Sequence, residues 1–543
     1  MSEYVFGANI LENLTTGMYR DSKVIYREYI QNACDQIDKA EQLGILRKRD
    51  AYSRYPDLGE GIIDIWLALD ERRITIEDNA TGIKAADFSR ILGNIADSDK
   101  IMGQDKGFRG IGRLCGLAYC KELVFTSRYA DENIVSVMTC DAQKMRRMIN
   151  DTNMKTEKYS AIEILNKMIE FTSRKATEDD PLHFFRVDLL NINEENEELL
   201  SGVEQLSDYL SFVAPVPYQA NFVNRSKIYG YAKDNNLKVD EYNIRIDAQQ
   251  IFKKYKTHLK TGNGDDEVFD VECVQFHSDS NVLLAWMWFG RTDFKAAIKE
   301  EEKSRGLRLR KENIQIGDEH TLRDMFTRET SKRGNNYFIG EIFAISPELI
   351  PNSQRTYFNE NGIRFDFERK LRHYFDTVLY NIYYEGSDIN SSFKKIDTYE
   401  DMVSAFEKKE IEGKFVSPKE YETEKRILEE KKQEAEKAKK NLEKKASDGG
   451  KSILGKEIVK RRLAERGPTT PETGKQVPIE LPEILDSDSK KKKFLTDTIF
   501  PNHNKAERKL LSEMLGKIFN IIRDNADKKT AEIIINRIKI DLK

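Results

Sequence analysis

The chain lacks the cysteine spacing that would staple a fold or hold a metal. Its five cysteines (Cys34, Cys115, Cys120, Cys140 and Cys273) are odd in number and contain no C-x-x-C pair. Neither a disulfide framework nor a zinc site is indicated, and reduced thiols are expected. The six histidines are scattered without metal-ligand spacing. A basic amino-terminal region followed by an apolar run is missing, so no signal peptide is expected. No run approaches the roughly 18 apolar residues of a membrane span, so no membrane partner is expected. A surplus of one charge is absent too. The 89 Lys and Arg stand against 93 Asp and Glu, a formal net charge of −4, so no global field draws the chain to nucleic acid or an anionic membrane. A soluble cytoplasmic protein is expected.

What is present is length and unevenly distributed charge. At 543 residues the chain exceeds one core, and about 100–200 residues per domain predicts three or four units. Residues 1–45 read as helical, with Ile25, Tyr29, Ala33 and Ile37 on an apolar face. Residues 61–77 alternate with period two on either side of Asp70-Glu71, a β-hairpin signal. Strand-like runs follow at 123–126, 134–139 and 184–190, and a second α+β unit has strands near 268–276, 282–289 and 338–345. The fold class expected is α+β, a sandwich rather than a doubly wound parallel sheet. Residues 418–446 are almost entirely Glu, Lys, Gln and Ala. Tyr421, Leu428, Ala435 and Leu442 fall seven apart, but Glu424 and Lys431 spoil a second apolar row. A long solvated helix with pairs such as Glu422–Arg426 and Glu436–Lys440 is therefore expected. The expected boundaries are 1–212, 213–388, a charged helical segment 389–447, a flexible linker 448–493, and a helical dimerisation element 494–543. In the last, Leu510, Leu511, Met514, Leu515, Ile518, Phe519 and Ile522 form an apolar stripe that needs a partner.

Three segments carry chemistry. Glu28, Asn32 and Asp35 stand at i, i+4 and i+7, on one face of a helix that is apolar nearly all round. Polar groups in such a helix must be satisfied, and a cation with phosphate oxygens would satisfy them. A β-branched strand then runs into Asp78, followed by a turn containing Gly82. A carboxylate at a strand end can accept the amino hydrogens of a purine, and a glycine lets the base approach the backbone. Last come Gly107, Arg109, Gly110, Gly112 and Gly116, a glycine loop feeding a helix start, which is an anion site. It is neither a Walker A loop nor a Rossmann fingerprint, since Cys115 stands where the third glycine belongs.

In that order, E-x-x-x-N-x-x-D, D-x-[GA]-x-G and G-x-x-G-x-G resemble the GHKL ATPases: gyrase, heat-shock protein 90 chaperones, histidine kinases and MutL. Residues 13–39 look most like the HtpG-type chaperones, while Ser98-Asp-Lys100 and Gly107-Phe-Arg-Gly110 are similar to the lid of MutL. The resemblance covers residues 1–385 and implies a Bergerat-type ATP-binding domain followed by a transducer-type domain. Glu28 would be the general base and Asn32 would ligate magnesium beside Asp35. Asp78 would hold the adenine amino group over Gly82. Ser98, Lys100, Gly107, Arg109, Gly110 and Gly112 would wrap the phosphates. Residues 340–358, GEIFAISPELIPNSQRTYF, are similar to the chaperones' segment whose arginine reaches the γ-phosphate, making Arg355 the candidate ATP sensor. Two departures stand out: Ala80 replaces a glycine, and His183-Phe-Phe-Arg-Val187 replaces a threonine-bearing strand. The implied activity is slow ATP hydrolysis with ATP and Mg2+, in a homodimer that clamps a protein client. The alternative is a MORC- or MutL-like clamp on DNA, touched through basic residues 303–311 and 490–493. A histidine kinase lacks its phospho-acceptor hairpin here, and a topoisomerase its cleavage domain.

Overall fold

A computed structural model describes residues 7–15, 21–94, 112–150, 159–412, 414–446, 453–466, 479–483, 500 and 502–542. The chain divides into two compact units, residues 1–380 and 381–543.

The first unit opens with α1 (Asn9–Leu14) and α2 (Val24–Gln42). The predicted hairpin is β1 (Ile62–Ala68) and β2 (Arg73–Asp78), paired antiparallel with Ile65 opposite Ile76. Period-two alternation sends Ile63, Ile65, Ile74 and Ile76 to the core, each burial contributing about 1.5–3 kcal/mol. Asp64 and Glu77 go to the opposite face, where Arg245 and Arg186 meet them. After α3 (Ala85–Gly93) come β3 (Cys120–Arg128), β4 (Ile134–Asp141), α4 (Ala142–Asn150), α5 (Ala161–Met168), β5 (Ile169–Lys175), β6 (Phe184–Ile192) and α6 (Val203–Val213). Next are α7 (Arg225–Asp234), β7 (Asn243–Ile246) and β8 (Gln249–Gln250). These eight strands form one sheet in the order β5-β4-β3-β6-β2-β1-β7-β8. All neighbours pair antiparallel except β7, which lies parallel to β1. Strands from beyond residue 212 thus complete the first sheet. Helix α2 packs on β1 and β2, with Ile25, Tyr26, Tyr29, Ile30, Ala33, Cys34 and Ile37 all buried.

A ribbon of β9 (His258–Thr261) and β10 (Gly264–Glu267) leads to a second sheet. It contains β11 (Asp270–His277), β12 (Leu283–Arg291), β13 (Gly306–Lys311), β14 (Ile314–Ile316) and β15 (Ile339–Ala344), ordered β11-β12-β15-β13-β14. Helix α8 (Gly362–Tyr374) packs against β11 and β12. The expected α+β class is what is found. Most of the basic stretch 303–311 lies away from the surface, although Lys303 is exposed. Its residues 306–311 are the buried strand β13, with Arg308, Arg310 and Lys311 inside the fold. Arg310 pairs with the equally buried Glu341, which also takes Lys253 Nζ at 2.8 Å. Two further guanidinium bonds of Arg310 reach the carbonyls of Asn313 and Phe212, both at 2.8 Å. Burial raises the Glu341 carboxyl, but the two cations beside it prevail and bring it down to about 2. These charges are spent on one another. Residues 490–493 lie outside the described residues.

The second unit contains α9 (Tyr380–Ile411), α10 (Pro418–Ala446), α11 (Ile453–Arg466), α12 (Lys505–Asn525) and α13 (Lys528–Asp541). Helix α10 is not solvated all round. Tyr421, Leu428, Ala435 and Leu442 are buried, and Tyr421 packs on Phe406 of α9. Lys409 of α9 pairs with Glu420 and Glu424, and Lys445 pairs with Asp388, so its charged flanks also join α9. Within the span expected to be a linker, residues 453–466 are helical. Helices α12 and α13 bury Leu515, Phe519 and Ile535 with Val416, and Ser512 Oγ donates to the Val416 carbonyl at 3.2 Å. Their other side leaves Leu510 61%, Met514 53%, Ile518 43% and Ile521 61% exposed, a stripe at helical spacing.

Candidate functional site

Helix α2 is the spine of the site, and three segments meet it at successive turns. Gly112 begins a short 3-10 helix, Gly112–Ala118, that packs on α2. A Cβ at Gly112 would lie 2.4 Å from Glu28 Oε2, so any larger residue there would have to displace the carboxylate. One residue on, the Tyr29 hydroxyl donates to the Arg113 carbonyl at 3.0 Å and accepts from Gly116 N–H at 3.1 Å. That stitch ties the start of the 3-10 helix to the helix bearing Glu28. Burial pushes the Tyr29 phenol well above its ordinary value, so it is a neutral donor. Cys115 is buried beside it, its thiol likewise raised by burial and then by the Glu28 charge.

The second segment is the turn after β2. Asp78 is buried, and its Oδ1 accepts from Ala80 N–H at 3.0 Å. Burial pushes its carboxyl up to about 8. Gly82 has a φ of +66°, and a Cβ there would sit 2.0 Å from the Arg128 carbonyl oxygen. Thr81 Oγ1 lies 3.2 Å from Gln36 Oε1 of α2. His183, in the segment that replaces the expected threonine-bearing strand, brings Nδ1 to 2.7 Å from the Ala80 carbonyl. Ala80 is fully buried, so its methyl is accommodated in the turn. Ser127 Oγ, which accepts from Ile83 N–H and donates to the Phe184 carbonyl, closes the turn from the sheet side.

The third segment carries Arg355, brought from beyond the second sheet. Its Nη1 donates to Gln31 Oε1 at 2.7 Å, both side chains being buried. Its φ of +53° is unusual for a residue with a side chain and costs roughly 1–2 kcal/mol. Three bonds hold it there. Arg355 N–H donates to the Asn352 carbonyl at 3.0 Å, Gly317 N–H donates to the Arg355 carbonyl at 2.8 Å, and Arg27 Nη2 donates to the Gln354 carbonyl at 3.1 Å. Burial works against its charge, while Glu312, Glu28 and Asp35 favour it and Arg27 opposes it. Arg27 Nη2 also lies 3.5 Å from Glu28 Oε1.

The structure therefore gathers Glu28, Asn32, Asp35, Gly112 and Arg355 along α2, with Asp78 and Gly82 in the turn tied to its later part. Asn32 is half-buried and Asp35 buried. Ser98, Lys100, Gly107, Arg109 and Gly110 lie outside the described residues, and so does the MutL-like lid segment. Sequence reasoning missed Gln31, Arg27 and Thr81. Gln31 carried a signal, as a polar residue within the buried arc of α2. The residues present fit a nucleotide with a divalent cation. Gly112 leaves a side-chain-free passage beside Glu28, the acid Asp78 is buried in the turn after β2, and the side-chain amide of Asn32 stands on the helix of Glu28.

Residues 24–176 match the family described as histidine kinase-, DNA gyrase B-, and HSP90-like ATPase. The chain carries a GHKL ATPase domain. The matched span runs from the start of α2 to the end of β5, so it includes Glu28, Asp78 and Gly112 but not Arg355. Among curated proteins, the chain is similar to chaperone protein HtpG of Treponema pallidum (strain Nichols), 23% identical over 282 residues, or 48% of this chain and 40% of that one. It is also similar to the HtpG chaperones of Psychrobacter arcticus and Psychrobacter cryohalolentis, each 31% identical over 137 residues, 23% of this chain and 20% of each. The chain thus aligns with two-fifths or less of the length of these relatives. No helix among the described residues is long and apolar enough to cross a membrane.

Proposed function

We propose that the chain is a magnesium-dependent, ATP-hydrolysing dimeric clamp of the heat-shock protein 90 kind, in which nucleotide governs the grip on a protein client. The observation that carries this reading is the contact of Arg355 with Gln31, which brings a cation from beyond the second sheet to the helix of Glu28. Glu28 takes the proton of the attacking water, and Asp78 accepts from the adenine amino group over Gly82. Asn32 and Asp35 would hold magnesium, which would supply charge neutralisation at the phosphates. Arg355 stabilises the charge that develops on the terminal phosphoryl oxygens. Because Arg355 arrives on a separate segment, its engagement ties the state of the second sheet to the nucleotide, and hydrolysis releases that tie. Slow turnover follows where such engagement limits the rate.

The exposed stripe on α12 supports a homodimer, and the chaperone names of the relatives support a protein client. A clamp on DNA could not use Arg308, Arg310 or Lys311 for phosphates, since β13 is buried. Salt-sensitive DNA binding by the purified protein would nonetheless favour it over a client clamp. The decisive test is steady-state ATP turnover beside ADP affinity. Arg355→Ala is expected to slow hydrolysis about tenfold or more at unchanged ADP affinity, and a wild-type rate would remove the reading.

A further inference from the structure

Resting on the reading of Asp78 as the adenine contact, the strand beside it supplies a wall for the base. Asp78 of β2 lies between Ile63 of β1 and Phe185 of β6, its direct partners in register. Alternation puts all three on the face that packs with α2, since Ile74, Ile76 and Val187 on the same rows belong to that core. Glu77 and Arg186, one residue away, pair with each other on the opposite face. Side chains directly opposite in an antiparallel pair have Cβ atoms about 4.5–5.5 Å apart, so Phe185 is an immediate neighbour of Asp78. Ile63, Val187 and Phe125 are buried, whereas Phe185 is only half-buried. Phe125 braces it, the two ring centroids lying 6.0 Å apart at an interplanar angle of 33°. A ring held in this way, beside a buried acid and not closed over by the core, has apolar surface to offer a ligand of that acid. Among the described residues no side chain donates to Asp78, whose bond comes from the Ala80 backbone.

We propose that Phe185, braced by Phe125, is a specificity-determining residue of the base site, its ring packing on the amino edge of a purine and closing that edge to larger substituents. Polar recognition at this edge then falls to one carboxyl, and recognition of shape falls to the ring. An aromatic side chain attracts the π-system of a base whatever its sequence of donors and acceptors. It also keeps water from the carboxyl, which strengthens the hydrogen bond that Asp78 accepts. The nucleotide class that fits is a purine with an unsubstituted exocyclic amino group.

The test measures, by titration calorimetry on the full chain, how wild type, Phe185→Ala and Phe185→Leu bind ADP and N6-benzyl-ADP. Wild type is expected to prefer ADP about tenfold or more, because the benzyl group meets the ring. Phe185→Ala should bind ADP about tenfold more weakly than wild type. It should bind N6-benzyl-ADP more tightly than ADP, since the benzyl ring enters the space that the variant opens. A side chain that only stabilised the fold would weaken both ligands and leave their ratio unmoved. Phe185→Leu keeps most of the apolar volume and should shift the ratio in the same direction by less, so it decides the matter if Phe185→Ala does not fold. Wild type binding both ligands equally would overturn the proposal, as would an unmoved ratio in a folded variant. Tighter ADP binding by Phe185→Ala would overturn it too, for the ring would then obstruct the base. Asp78→Asn binding ADP as wild type does would instead sink the reading of Asp78, and this inference with it.

Discussion

Asp78 is a carboxyl group held where its charge is poorly tolerated, and that makes it a reporter of its own function. Its folded-state value of about 8 stands well above the ordinary 3.8. Between those two values the unfolded chain has released the proton that the native protein retains, so this group's contribution to stability falls as pH rises from about 4 to about 8. Asp78→Asn keeps the acceptor for Ala80 N–H and removes the titration. Its melting temperature relative to wild type should therefore rise from pH 5 to pH 8, as followed by calorimetry, while ATP binding is lost. A purine amino group donating to Asp78 favours the ionised form, so nucleotide binding near pH 7 should release protons. Titration calorimetry in buffers of different ionisation enthalpy measures that release, and none would remove Asp78 from the adenine contact. Glu28→Ala should bind ATP and fail to hydrolyse it, and turnover at the wild-type rate would end its role as base. At Gly112 the expectation is steric: an alanine methyl 2.4 Å from Glu28 Oε2 must move the carboxylate. Gly112→Ala should then cost turnover while the fold persists, as seen by comparing kcat with the melting temperature.

Among elements, α10 shows how far pattern carries. Leu428 sits in a buried row facing α9, so Leu428→Ala should destabilise the second unit by about 2–5 kcal/mol in urea melts. Glu422→Ala, on the exposed side, should change stability by less than about 0.5 kcal/mol. The seven-residue row was legible, but its burial was not. One apolar row flanked by charge describes a solvated helix as well as one lying on a neighbour, and the neighbour begins near residue 380. The hairpin β1–β2 was legible because one face of it is core, which forces strict alternation. By contrast β13 was misread, for Arg308, Arg310 and Lys311 look like surface until their partners are known. Glu341, which holds Arg310, lies on another strand. At the site, helical spacing put Glu28, Asn32 and Asp35 on one face, and the resemblance to the GHKL ATPases gave them their expected roles. Gln31 escaped because its partner Arg355 is more than three hundred residues away, and sequence order says nothing about such a meeting.

At the scale of the molecule, the apolar stripe on α12 is the face on which the proposed homodimer would rest. Replacing Met514 and Ile521 together by Asp should halve the mass seen by light scattering without lowering the melting temperature. A wild-type mass already that of one chain, or a mass unchanged by the replacements, would remove the stripe as a dimer contact. The topology of the first sheet carries a different consequence, for synthesis rather than catalysis. Strand β1 is completed by β7, a parallel neighbour made only after β6, α6 and α7 have left the ribosome. Until then β1 is an open edge, with Ile62 and Ile63 lacking their eventual partners Asn243 and Ile244. The first sheet is thus a late-closing structure of high contact order, exposed to strand-seeking neighbours while it waits. During synthesis the chain therefore passes through a stage in which a bound chaperone would shield that edge.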